Sequence, residues 1–153
     1  GWAVWPRRAP QLAVRAGEVA LGPHIRIGSD GRVIVAVAQA EMGQGVWSAL
    51  AQIVADELGA DWRSVAVEPA PLGPDYAHPG LAIDAAAGLA EPWRGLLLGA
   101  GRRAARLLDF QITGGSTSVR AWEAPLRSAA AVARALLCAA AARQWGVDPA
   151  ACD

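Results

Sequence analysis

No lysine occurs in the chain: all 14 basic residues are arginine. Arginine's guanidinium fork suits phosphate recognition, but codon usage in a GC-rich genome gives the same bias along with abundant alanine and glycine, and is the plainer reading. The arginines are matched by 14 acidic residues, so zero net charge gives no electrostatic pull toward nucleic acid. Cysteine is scarce. Cys138 and Cys152 have no CxxC spacing, which argues against a zinc or iron–sulfur site built within the chain. Cys138 reads as a small apolar helix residue. No run of eighteen uninterrupted apolar residues occurs, so a membrane span is not encoded on that criterion. HExxH and GxSxG are both missing, and His24 and His78 lie in unrelated local contexts. The sequence therefore offers no metal site and no catalytic constellation. Aromatics other than tryptophan are almost absent, with one Phe and one Tyr, so the core must be aliphatic and much of it alanine.

What is present fits one domain of modest core, at 153 residues. Residues 1–22 read as a poorly patterned linker, or as the remnant of an N-terminal anchor or signal running from Gly1 to Arg8. His24 to Gly28 and Arg32 to Ala38 read as strands around the turn Ser29-Asp30-Gly31, an Asp-Gly hairpin signal. The nearly continuous Val33, Ile34, Val35 and Val37 predict a strand buried on both faces. Val46, Leu50, Ile53, Val54 and Leu58 share one helical face, with Gly59 as the stop. A short strand follows at Val65 to Glu68, closed by Pro69 and Pro71.

Between Pro69 and Phe110 the pattern is weakest. Leu81 to Leu89 reads as helical, and Trp93 to Leu108 as a basic amphipathic segment whose arginines form a solvated face, with a membrane or partner contact as the alternative. A long alanine-rich helix then spans Val119 to Trp145, with Leu126, Ala129, Ala130, Ala133, Leu136, Leu137 and Ala140 on one face. Gly146 ends it, and Asp148-Pro149 looks like the start of a further helix, as in a piece of something longer.

Two glycine-bearing segments each precede a helix: Glu41-Met42-Gly43-Gln44-Gly45 and Gly114-Gly115-Ser116-Thr117-Ser118. A helix start presents unpaired N–H groups and the positive end of the dipole, so it can hold an anion. Glycine admits close backbone approach, and Gln44 both donates and accepts. On spacing alone, each segment is more simply a turn, with Ser118 as a helix cap. Neither matches a phosphate-binding Walker loop or a dinucleotide GxGxxG. Glu41 is better explained as structural than as a general base, because no partner positions a proton transfer.

Taken in order, EMGQG, DELGADWRSVAVEPAP and QITGGSTSVRAWEAPLRSAAAVARALLCAAAARQWGV resemble the molybdopterin-binding subunit of the xanthine dehydrogenase/aldehyde oxidase family, nearest the isoquinoline 1-oxidoreductase beta-subunit type. The likeness covers about residues 24–153 and is strongest at 39–71 and 111–147. Trp62, Trp122 and Trp145 fall where that branch has tryptophan. The resemblance implies that Gly43, Gln44, Gly45, Gly114, Gly115, Ser116, Thr117 and Ser118 contact a molybdopterin, in bacterial members the cytosine dinucleotide form. It implies hydroxylation of an N-heterocycle or aldehyde, with electrons leaving through a partner [2Fe–2S] small subunit. The family's catalytic glutamate belongs to a later glycine-rich motif that these residues do not contain, so the chain by itself is expected to be inactive and to require the remaining parts of the subunit.

The fold expected is α+β: a β-hairpin and a short third strand packed with an amphipathic helix, plus the long alanine-rich helix. It forms a partial molybdopterin-binding domain over 23–153, with 79–110 a variable insertion. Location stays open: periplasmic or inner-membrane-associated if a signal lies upstream, otherwise cytoplasmic. Two competing readings are a non-enzymatic α+β interaction domain and a small phosphate- or nucleotide-binding module.

Overall fold

The computed structural model describes residues 12–152; the anchor-like opening at Gly1 to Arg8 lies outside them. Four strands form one sheet in the order β1 (Glu18–Ala20), β2 (Ile25–Gly28), β3 (Val33–Val37) and β4 (Val65–Pro69). β1/β2 and β2/β3 are antiparallel, while β3/β4 is parallel, with Val35 opposite both Ile25 and Val67. The Asp-Gly hairpin forms as the sequence predicts. Gly28 N–H donates to the Arg32 carbonyl at 2.9 Å, and Gly31 takes the left-handed φ of 82°.

The parallel pair needs a crossover, and α1 (Val46–Leu58) supplies it. Gly59 closes α1 in the left-handed conformation, its N–H reaching the carbonyls of Ala55 and Asp56. Every residue of β3 is buried, as its unbroken apolar run requires. Val33, Val35 and Val37 meet Val46, Leu50 and Val54 of α1 together with Trp122, Leu126, Ala130 and Ala133 of α4 (Ser118–Trp145). On the opposite face, Ala36 packs with Leu12 and Tyr76. The architecture is mixed α+β, as expected.

β1 is a strand the sequence reading missed, since it falls inside the segment assigned as linker. Its three residues carry no alternation to detect. Buried ion pairing holds it instead: Arg26, 2% exposed, pairs with Glu18 at 3.2 Å and Glu68 at 2.5 Å, and donates to the Ala13 carbonyl. A charge this deep is tolerated because it is paired on both sides.

The segment 79–110 folds as two packed helices, α2 (Leu81–Ala86) and α3 (Trp93–Leu108). α2 is shorter than the predicted Leu81–Leu89. Gly101 of α3 permits their approach: a Cβ there would lie 2.2 Å from that of Ala82.

α1 and α4 run in the same sense, since Val46 and Ser118 both border one cleft while Arg127 pairs with Asp56 near the far end of α1. α1 has 13 residues and α4 has 28, so the distal part of α4 has no α1 beside it. The predicted apolar face of α4 is therefore buried only at Leu126, Ala130 and Ala133, while Leu136, Leu137 and Ala140 are exposed. By length and composition alone α4 could also cross a membrane, which the test for uninterrupted apolar runs did not register. Its first half packs into the domain core.

Candidate functional site

The two glycine segments, far apart in sequence, meet at a cleft of about 320 Å3 between the starts of α1 and α4. Gln44, Gly45, Gly114, Ser116 and Ser118 line it, joined by Met42, Val46, Ala49, Thr113 and Val119. None of these side chains is charged. A hydrogen bond from Ala40 N–H to Thr113 Oγ1, 2.8 Å, ties the segments directly. Thr113, just before the second segment, is a cleft residue that the sequence does not single out. Its role depends on a partner 73 residues away, which no local spacing reveals.

The first segment is closed on itself. Glu41 Oε1 accepts from Gly43 N–H (2.8 Å) and Gly45 N–H (2.9 Å), and its Oε2 accepts from Trp47 N–H at 3.0 Å. A carboxylate of the chain's own thus fills the anion position at the start of α1. The Trp47 and Gly45 amides lead in holding the Glu41 carboxyl below the usual carboxylate range, with those of Gly43 and Gln44 acting in the same sense. Gln44 also folds back: its Oε1 accepts from Met42 N–H and its Nε2 donates to the Ala40 carbonyl. The sequence correctly cast Glu41 as structural. Of the amides at this helix start, those of Gly45 and Trp47 already have an acceptor in Glu41, while Val46 and Ser48 N–H have none among the described residues.

The second segment is open. Thr117 immediately precedes α4, and its Oγ1 donates to the Gly114 carbonyl at 2.8 Å. The cap assigned to Ser118 is a correction: Ser118 is the first helical residue, and no side chain caps α4. The reason is geometric, since Thr117 faces inward, 3% exposed, and its hydroxyl serves the loop. The backbone N–H groups of Ser118, Val119 and Arg120 consequently have no acceptor among the described residues. Gly115 and Ser116 take left-handed φ of 62° and 54°, turning the loop so that Ser116 borders the cleft. The Arg120 side chain points elsewhere, pairing with Asp84 at 2.7 Å.

Of the eight predicted contact residues, five therefore line the cleft. Gly43 and Gly115 are exposed and lie outside the lining, and Thr117 is buried. Under the second segment lies His78, fully buried, its Nδ1 accepting from Gly80 N–H at 2.8 Å. Burial lowers its pKa, with the Thr117 backbone acting more weakly in the opposite sense, so the ring is neutral. His24 is likewise lowered by burial, edge-on to Tyr76 and Trp122 at 5.3 Å. Both histidines support the site from within the fold and neither reaches the cleft. Among the described residues no cluster of His, Cys, Asp and Glu could hold a metal.

Comparison with known proteins gives two matches. Residues 9–71 fit the model of the molybdopterin cofactor-binding domain, which contains the first glycine segment and stops before the second. That match begins at residue 9, so it takes in β1 as well as the segment read as linker. Over 53 residues the chain is 45% identical to a membrane-bound aldehyde dehydrogenase [pyrroloquinoline-quinone] of Gluconacetobacter polyoxogenes, which covers 33% of this chain and 7% of that protein. The chain thus spans only a small part of the relative it matches. The first match supports kinship with molybdopterin cofactor-binding domains, and the second with an oxidoreductase.

Proposed function

We propose that this chain is part of the large subunit of a molybdenum hydroxylase, and that the cleft between α1 and α4 holds one end of a molybdopterin in its cytosine dinucleotide form. The observation that carries this reading is the open start of α4. Three unpaired N–H groups, at Ser118, Val119 and Arg120, adjoin a neutral cleft bordered by the hydroxyls of Ser116 and Ser118. Such a donor set fits a phosphate or a pterin edge, and no acidic side chain in the lining opposes it. Gln44 would add an amide from the opposite wall once released from its own loop.

When bound, the molybdopterin would supply the oxidation of an N-heterocyclic or aldehyde carbon, with electrons passing to an iron–sulfur partner subunit. The residues in hand do the holding. The α4 start binds the anion, Gly45 and Gly114 let the backbone approach, and Thr113 keeps the walls at a fixed separation. None of them is placed to move a proton on substrate, so activity belongs to the complete subunit. The isoquinoline 1-oxidoreductase type is the branch this reading favours.

The test uses the full gene product, expressed in a host that makes the cofactor, with molybdenum and released pterin measured after purification. Stoichiometric molybdenum is expected, and it should fall several-fold in Ser118→Asp, which places a carboxylate against the unpaired amides. The relative's name carries a different cofactor, so pyrroloquinoline quinone is added as a competing probe. Retention of that quinone instead of molybdopterin, or neither being retained, would overturn the assignment. Cytidine diphosphate binding without molybdenum would point to a plain nucleotide module.

A further inference from the structure

The α2–α3 pair lies outside the family-model match and plays no part in the cleft. α3 presents an unusual surface. Trp93, Leu96, Leu97, Ala100, Ala104, Leu107 and Leu108 fall at helical spacing on one face. That face points outward: Trp93 and Leu96 are each 65% exposed, and Leu107 and Leu108 each 74%. The inward face is narrow and small, made by Leu98, Gly101 and Ala105 against α2 and the domain. At about 1.5 Å per residue, the bare stripe runs roughly 20 Å along the helix.

The charges are one-sided. Arg94, Arg102, Arg103 and Arg106 are all exposed, and α3 contains no Asp or Glu. Arg106 pairs with Asp75 at 3.1 Å, and Glu91 spends a carboxylate oxygen on Gly95 N–H. Arg94, Arg102 and Arg103 have no ion pair among the described residues. Placed by helical geometry, Arg103 borders one edge of the stripe and Arg94 the other at the first turn.

We infer that α3 is an interfacial helix that lies on an anionic phospholipid surface, its apolar stripe in the acyl boundary and Arg94 and Arg103, at the stripe's edges, at headgroup level. Tryptophan at one end and leucines at the other suit that depth, and arginine stems can extend to the phosphates while the stripe stays buried. Each arginine near the surface adds attraction that salt screens. The pair α2–α3 would thereby attach the domain to a membrane without any spanning segment.

The test is co-sedimentation of the chain with phosphatidylglycerol-containing vesicles, beside vesicles of phosphatidylcholine alone. Binding is expected to the first and not the second, and to weaken as salt rises. Leu96→Glu with Leu107→Glu should lower partitioning by about tenfold or more, and Arg103→Glu by a smaller factor, with circular dichroism unchanged because these side chains are exposed. Equal binding by the double variant, or none by the wild type, would overturn the inference. So would a dimer in sedimentation velocity that the double variant dissociates, since the stripe would then be a protein interface.

Discussion

The two glycine segments face the same cleft and differ in how their backbone amides are used. At residues 41–45 the turn is closed from within: Glu41 accepts from Gly43, Gly45 and Trp47 N–H, and Gln44 accepts from Met42 N–H and donates to the Ala40 carbonyl, which leaves only Val46 and Ser48 N–H of the α1 start without an acceptor among the described residues. At residues 114–118 the turn is built by Thr117 and left-handed Gly115 and Ser116, and the helix beyond it starts with its amides unpaired. Glycine content is therefore a poor guide to ligand capacity. What decides it is whether a carboxylate of the chain has already claimed the donors.

The largest expected effect comes from breaking the closed turn. Gly45 sits at φ 77°, so Gly45→Val forces a β-branched residue into the left-handed region. That should cost about 1–3 kcal/mol in urea unfolding followed by tryptophan fluorescence. A loss within error would show that Glu41 does not fix this turn. A smaller effect of opposite sign should follow from closing the open one. Ser118→Asp places a carboxylate in the first turn of α4 and should stabilise the fold by about 0.3–1 kcal/mol, while lowering affinity for pyrophosphate measured by calorimetry. Stability gained with affinity unchanged would detach the α4 start from anion binding.

The smallest effect is on the acid limb. The Glu41 carboxyl is held low by the amides it accepts from, so its contribution is present above the unfolded carboxylate pKa and is lost as pH falls through the depressed folded value. His24 and His78, lowered by burial, act in the same direction but earlier, losing their contribution as pH drops below about 6.5. Glu41→Gln should therefore flatten the midpoint-versus-pH curve only in the more acidic part, and His24→Phe only in the upper part. A single shared inflection in both variants would contradict this separation.

The sequence made the hairpin, α1, β4 and α4 readable because each combined an apolar pattern with an explicit boundary: Asp30-Gly31, Gly59, Pro69 with Pro71, and Gly146. β1 was invisible because a buried arginine, not apolar alternation, holds it. The site was legible as two segments. Its asymmetry was not, because the fate of backbone amides depends on side-chain torsions at Glu41 and Gln44 that residue spacing leaves free. The exposed half of α4 was misjudged for a similar reason, since a helix's face is predictable locally but the length of its neighbour is not.

The tie between Ala40 and Thr113 also bears on the order in which the molecule is made. One wall of the cleft lies within residues made by the end of α1 at Leu58, whereas Thr113 of the other comes 55 residues later (113 − 58). Closing the 73-residue separation between Ala40 and Thr113 costs more chain entropy than closing a local turn. The first wall needs no such closure, because the Glu41 carboxylate holds its turn through local hydrogen bonds alone.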